Sequence, residues 1–298
     1  MASFAEARVA EGEYNPQVTV MSDGEFQRFS AFIYQECGIK MLPAKKAMLQ
    51  TRLQKRLRQL GMDSFRQYAE YLFSPEGRKT ELFAMIDVVT TNKTDFFRES
   101  GHFDYLTGIA LPELLRRQRS RARNRVMLWS AGCSTGEEPY TLAMVMNEFA
   151  GQFPGLDYMI LATDISTQVL EKAKTAIYNE ERVAPIPEAL KTKYLLRSKD
   201  KNNDAVRIVS ELRSQVCFKR LNFMDDDFGI RETMDIIFCR NVIIYFDRRT
   251  QEALLCRLCN HLVPGGYIFM GHSETLNGMD IPLTPVSASV YRKNDGAE

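Results

Sequence analysis

Apolar positions recur in two regimes along the chain, a helical period before residue 90 and an alternation of strand and helix patterns after residue 126. In the first regime Ser22 or Asp23 is placed as an N-cap ahead of a stripe of Phe26, Phe29, Phe32 and Ile33, and Gly38 is a natural stop. Residues 44–60 predict a second helix, with Leu49, Leu53, Leu57 and Leu60 on one face. Gly61 suits the position just past its end, and Ser64 and Gln67 make a capping box for a helix through Phe73. Ser74-Pro75-Glu76-Gly77 reads as a turn, and Leu82, Met85, Ile86 and Val89 form the buried stripe of another helix. Residues 1–20 lack periodicity and read as a flexible tail, so residues 21–95 are expected to be a small all-helical domain.

The second regime predicts strands at 126–129, 158–163, 216–221, 234–239 and 267–271, with helices at 141–149, 166–178 and 248–262 between them. Leu142, Met146 and Phe149, with Val145 beside them, should face the core from the first of these helices. Pro264-Gly265-Gly266 reads as a turn, and 283–293 can supply a closing antiparallel pair. This rhythm predicts an α/β, Rossmann-like domain over 96–298, with a ligand at the carboxyl ends of its strands. Residues 181–214 break the rhythm with Pro185, Pro187, the polar stretch 198–204 and a strand at 205–209, and read as an inserted small β subdomain that offers a protein contact surface. A helix at 102–118 leads into Arg116, Arg117, Arg119, Arg121, Arg123 and Arg125, read as a solvated edge remote from the cleft.

Composition narrows the picture. The chain has 298 residues, 45% of them hydrophobic, and a net charge of +1, which gives no global pull toward nucleic acid. No apolar run reaches membrane-spanning length and no signal peptide is visible, so a cytoplasmic protein without direct membrane insertion is expected. The six cysteines fall mostly in apolar segments and read as reduced thiols; Cys256 and Cys259 have metal spacing but no second pair. His102, His261 and His272 are too scattered in sequence for a metal cluster, and no metal is expected. The helix at 44–60 carries Lys45, Lys46, Arg52, Lys55, Arg56 and Arg58 with no acid between them, a set of unpaired charges that suits either an acidic partner or plain solvent.

The chemistry concentrates in residues 126–140, where a short apolar run passes through Ser130, Ala131, Gly132, Cys133, Ser134, Thr135 and Gly136 into Glu137 and Glu138. A turn that cradles phosphate should present bare amides, and two carboxylates there repel it. They suit a cationic ligand such as S-adenosylmethionine, or they merely favour the dipole of the helix they begin. Asp164, at the end of the second strand, is placed for ribose hydroxyls or as a helix cap with Ser166. The polar segment 90–99 with Phe96 and Phe97 has little glycine and no proline, and is expected to be ordered against the cleft. Asn222 and Phe223 at the third strand's end are placed to line an adenine ring. Cys239-Arg240-Asn241 ends the fourth, where methyltransferases of amino groups on bases carry Asn or Asp and two prolines. An arginine there cannot act as a base and instead forks a carboxylate. A glutamate acceptor, with an unperturbed pKa of about 4.3, is ionised at neutral pH and needs no base. Arg98 and Arg240 are then the carboxylate-handling candidates, and Tyr245 shapes the acceptor slot.

Four strings, TTNKTDFFRE, STGEEPY, CRNVIIYFD and GHSE, in this order and at these separations, resemble the CheR family of chemotaxis protein methyltransferases over nearly the whole chain. The resemblance implies a class I S-adenosylmethionine methyltransferase domain that forms glutamyl methyl esters on the cytoplasmic helical bundle of chemoreceptors. It implies that Asn92, Thr94, Arg98, Glu138, Asp164, Asn222, Phe223, Arg240 and Asn241 surround the cofactor, with Tyr245 near the methyl. It also implies that the basic helix lies against the acidic receptor bundle, and the protein is expected to be a monomer recruited to receptor arrays. Some members hold a receptor peptide on the inserted subdomain with a glycine-rich turn; residues 197–204 contain no glycine, so this tethering is expected to be absent or altered. The competing readings are a nucleic-acid methyltransferase, for which the basic helix and arginine cluster speak, and a non-catalytic S-adenosylmethionine sensor.

Overall fold

The computed structural model describes residues 20–118, 125–200 and 204–295. The expected tail at 1–20, apart from Val20, and Arg119, Arg121 and Arg123 of the arginine cluster lie outside the described residues, as does the centre of the 197–204 loop.

The first helices are α1 (Asp23–Cys37), α2 (Lys46–Leu60), α3 (Phe65–Phe73), α4 (Pro75–Thr80) and α5 (Leu82–Val89). Ser22 caps α1 in a full capping box with Glu25, and Gly38 ends it in the left-handed conformation. Phe26, Phe29, Phe32 and Ile33 are buried together with Leu49, Leu53 and Leu57 in a core separate from those of the sheet, while Leu60 and Leu82 pack only at its edge. Gln67 answers the Ser64 cap from one residue further out, accepting from Asp63 N. Replacing Ser22 by alanine is expected to cost about 1 kcal/mol of stability in urea denaturation, the usual worth of such a cap.

Residues 74–77 are not a simple turn. Pro75 occupies the first position of α4, where its missing N–H costs nothing, and Ser74 Oγ accepts from Gly77 N at 3.0 Å. The charges of α2 are not all unpaired either. Lys46 pairs with Asp23 at 2.6 Å, Arg56 with the buried Glu81 at 2.6 Å, and Arg52 donates to the carbonyls of Val89 and Thr90. The acids and carbonyls that answer them come from other elements, which spacing within one helix does not reveal. Lys55 and Arg58 remain exposed.

Helix α6 (Gly101–Tyr105), a π-helical turn (Leu106–Ala110) and α7 (Leu111–Gln118) lead to β1 (Arg125–Ala131). There follow α8 (Glu137–Ala150), β2 (Asp157–Asp164), α9 (Thr167–Thr175), β3 (Ile177–Asn179), α10 (Glu180–Val183), α11 (Glu188–Tyr194), β4 (Leu195–Arg197) and β5 (Ala205–Ile208). The chain ends through α12 (Ser210–Ser214), β6 (Val216–Arg220), β7 (Met234–Cys239), α13 (Arg248–Asn260), β8 (Leu262–Met270), β9 (Leu283–Ser287) and β10 (Val290–Lys293). Among the described residues the main sheet has the order β6-β2-β1-β7-β8-β10-β9. It is parallel except for β10, which runs antiparallel to both β8 and β9. The side chains of β1 alternate between its two faces, Val126 and Leu128 entering one core and Met127 and Trp129 the other. The order reverses between β1 and β7, so a crevice opens beyond their carboxyl ends. This is a class I S-adenosylmethionine methyltransferase architecture with a helical amino-terminal domain.

Three boundaries move. The helix expected at 141–149 begins at Glu137, because Pro139 is tolerated in a first turn. The helix expected at 166–178 stops at Thr175, where Ala176 turns left-handed, and Ile177–Asn179 becomes a strand. That strand is β3 of a small sheet ordered β3-β5-β4, so the inserted β subdomain starts earlier than residue 181. Finally, Pro264-Gly265-Gly266 lies inside β8, at a register shift against β7, and is no free turn.

Candidate active site

A cavity of about 280 Å³ sits between the helical domain and the carboxyl ends of β1, β2 and β7. It is lined by all the positions expected to serve a ligand except Glu137. Asn92, Thr94 and Arg98 come from the segment after α5, Glu138 from α8, Asp164 from β2, Asn222 and Phe223 from beyond β6, and Arg240, Asn241 and Tyr245 from beyond β7.

The turn after β1 owes its shape to Gly132 and Gly136 at φ +86° and +97°. A Cβ on Gly132 would stand 2.5 Å from Val242 Cγ2, so position 132 has room for backbone only. Ser134 Oγ donates to Asn92 O at 2.7 Å and ties the turn to the polar segment, while Phe97 N donates to Thr141 Oγ1 at 3.2 Å. The order expected of residues 90–99 thus has specific partners.

Asp164 lines the cavity at the end of β2, and the cap of α9 foreseen as its alternative role is made by Ser166, whose side chain accepts from Val169 N. Asp164 Oδ1 accepts from Ser166 N at 2.9 Å and its Oδ2 from Ser134 N at 2.8 Å, which fixes the carboxylate at the cavity wall with lone pairs to spare. Burial pushes its pKa up, and the amides of Ser166 and Ser134 oppose that shift. The two glutamates divide. Glu138 lines the cavity, accepts from Ser130 Oγ at 2.7 Å and lies 3.5 Å from Arg240 Nε. Burial raises its pKa and the Arg240 guanidinium draws it back. Glu137, expected beside it as a ligand-facing acid, turns away from the cavity and is held by Thr135 Oγ1 at 2.6 Å and Arg182 Nη2 at 3.2 Å. Successive positions on a helix point about 100° apart, so only one of the pair can face the ligand.

Arg240 is the most heavily constrained cation of the site. Its side chain is 2% exposed, with Glu99 Oε2 and Glu138 Oε2 each 3.5 Å from Nε. Nη2 donates to Arg98 O, and Nε and Nη1 have no hydrogen-bond partner among the described residues. A buried guanidinium with donors to spare fits an anionic group in the cavity. Arg98 is more exposed and donates to Lys93 O at 3.3 Å. Tyr245 has Lys45 over its ring at 5.7 Å, so the basic helix reaches the cavity rim through that lysine.

Spacing alone did not single out Glu99, Ser134 or Glu274. Glu274 accepts from Asn241 N, Ile243 N and Gly271 N at 2.7–2.9 Å and so holds the loop that carries Arg240 and Asn241, with Asn241 at φ +59°. The signal available was membership of the strings FFRE, STGEE and GHSE. The histidines also correct their reading. His102 and His272 are adjacent, ring centroids 5.1 Å apart, although 170 positions separate them in sequence. Their pairing is made by α6 packing against the end of β8.

The residues fit S-adenosylmethionine: an acid fixed at the end of β2 for ribose hydroxyls, an acid on α8 for positive charge, a turn with no space for a side chain at Gly132, and unpaired arginine donors for a carboxylate. Residues 92–292 match the model of the CheR methyltransferase S-adenosylmethionine-binding domain, and residues 24–90 that of the CheR methyltransferase all-alpha domain. The chain is 37% identical to a chemotaxis protein methyltransferase of Borreliella burgdorferi, over 95% of this chain and 99% of that one. It is 40% identical to one of Klebsiella aerogenes over 86% and 85% of the two chains, and 38% identical to one of Escherichia coli over 91% of each.

Proposed function

This chain belongs to the CheR methyltransferase family and is an S-adenosylmethionine-dependent methyltransferase of chemotaxis, and from that premise we propose that its acceptors are glutamate side chains on the cytoplasmic helical bundle of chemoreceptors, which it converts to glutamyl methyl esters. The observation that carries this reading is that one cavity is lined by a buried Arg240 with unused donors, Arg98 and Tyr245 together with Glu138 and Asp164. S-adenosylmethionine supplies an electrophilic methyl that an ionised carboxylate can take without a base. The protein's own part is placement: Glu138 and Asp164 hold the cationic and ribose portions, Phe223 and Asn222 flank the base, and Asn92, Thr94 and Asn241 close the sides. Arg240 and Arg98 orient carboxylates, and Tyr245 forms the wall of the acceptor slot. No histidine lines the cavity among the described residues, which suits an acceptor that arrives deprotonated.

The exposed Lys55 and Arg58, with Lys45 at the rim, offer the acidic receptor bundle a surface, a smaller one than the full helix of charges first read from spacing. The protein works in this proposal as a monomer in the cytoplasm, gathered to receptor arrays by its substrate. Incubating the purified chain with labelled S-adenosylmethionine and a chemoreceptor cytoplasmic fragment is expected to give receptor label that mild alkali releases as methanol. Label that survives alkali, or that appears on nucleic acid in place of receptor, overturns the assignment.

A further inference from the structure

Behind Arg240, outside the cavity lining, Glu99, His102 and His272 each present a ligand atom, all within 4.8 Å of one another. His102 is only 3% exposed, yet neither of its ring nitrogens has a hydrogen-bond partner, and Glu99 Oε2 has none either. An unpaired buried polar group costs about 1–3 kcal/mol, so the two unbonded nitrogens of His102 beside a carboxylate mark a place where something is meant to complete them. Packing holds the imidazole in place, edge-on to Phe269 at 5.7 Å and to His272 at 5.1 Å between centroids.

The separations discriminate between explanations. His102 Nδ1 and Glu99 Oε2 are 3.5 Å apart, beyond a hydrogen bond between them. Two ligands bonded at about 2.0–2.1 Å to one tetrahedral ion lie about 3.4 Å from each other. The widest separation in the trio therefore needs a contraction of only about 1.4 Å, which the exposed His272 side chain can supply.

We propose that Glu99, His102 and His272 form a three-ligand binding site for a divalent transition metal of the zinc class, with a fourth position open to solvent beside His272. Two imidazoles and one carboxylate select zinc, cobalt or nickel over magnesium or calcium, which take oxygen. Arg240 is the competing cation, 3.5 Å from the same Oε2, but it is itself opposed by two carboxylates, Glu99 and Glu138. Metal and guanidinium thus share Glu99, and the affinity is moderate.

Titrating Co²⁺ into the metal-free full-length chain is expected to give a saturable visible absorption of a tetrahedral ion at one equivalent, displaced by Zn²⁺. His272→Ala, an exposed change that leaves the thermal melt in place, should weaken Co²⁺ binding at least about tenfold, since loss of a ligand exceeds the effect of losing its outer partner. Absence of a saturable band, a thiolate-to-cobalt charge-transfer band assigning the ion to cysteines, or His272→Ala binding as tightly as the parent would each overturn the site.

Discussion

Arg240→Ala is expected to lower methyl transfer to the receptor fragment by at least about 100-fold, the usual effect of removing one preorganised charged donor from a reacting site. The change also acts on the fold. Arg240 lies 3.5 Å from both Glu99 and Glu138 in a setting 2% exposed on its own side, so its loss leaves two enclosed carboxylates without a counter-ion. Breaking a buried pair from one side costs about 3–5 kcal/mol, visible as a lower urea midpoint. The two effects separate by design. Combining Arg240→Met with Glu99→Gln and Glu138→Gln removes the stranded charges and should return most of the midpoint, because an uncharged replacement of a whole buried network is often neutral. Transfer should stay lost in that variant. Arg240→Lys keeps the charge but not the planar fork that also lies over Phe103 at 5.6 Å and Phe238 at 5.9 Å, and an intermediate rate is expected. Transfer by Arg240→Ala within tenfold of the parent would remove Arg240 from the site.

Gly132→Ala should weaken S-adenosylhomocysteine binding at least about tenfold and cost about 2–5 kcal/mol of stability, the sum of two separable costs. One is conformational: an L residue held at φ +86° loses about 1–2 kcal/mol. The other is steric, since the new methyl would meet Val242 Cγ2 at 2.5 Å, and an overpacked contact of this kind costs about 1–3 kcal/mol. Adding Val242→Ala relieves the contact and leaves the dihedral cost, so stability should recover in part. Calorimetric titration with S-adenosylhomocysteine together with thermal melts checks both numbers. Affinity equal to the parent's would mean that the turn after β1 does not face the donor.

The sheet was legible because its strands are short apolar runs bounded by small residues, and because Trp129, buried between layers, sits in the middle of one such run. The α1 boundaries were legible through Ser22 and Gly38, whose cap roles are local. What was hidden depends on partners far along the chain. The pairing of Arg56 with Glu81 made an apparently bare cation into an internal one, and Arg182 pulled Glu137 away from the cleft that its neighbour lines. His102 and His272 met for the same reason, through the packing of one element on another. Asp164, Asn222 and Arg240 could be named because each closes a strand, and Asn92 and Thr94 only through the family resemblance, whereas Glu274, which accepts from the amides around Asn241, leaves no periodic trace.

Two hydrogen bonds cross between the halves of the protein at the cavity itself: Asn222 Nδ2 donates to Glu36 O at 2.6 Å, and Lys40 N donates to Tyr245 O at 2.9 Å. Both clasp the exit of α1, one from each flank of the pocket. Asn222 and Tyr245, two of the residues proposed to wall the donor's pocket, are thus also part of the seam that joins the helical half to the sheet.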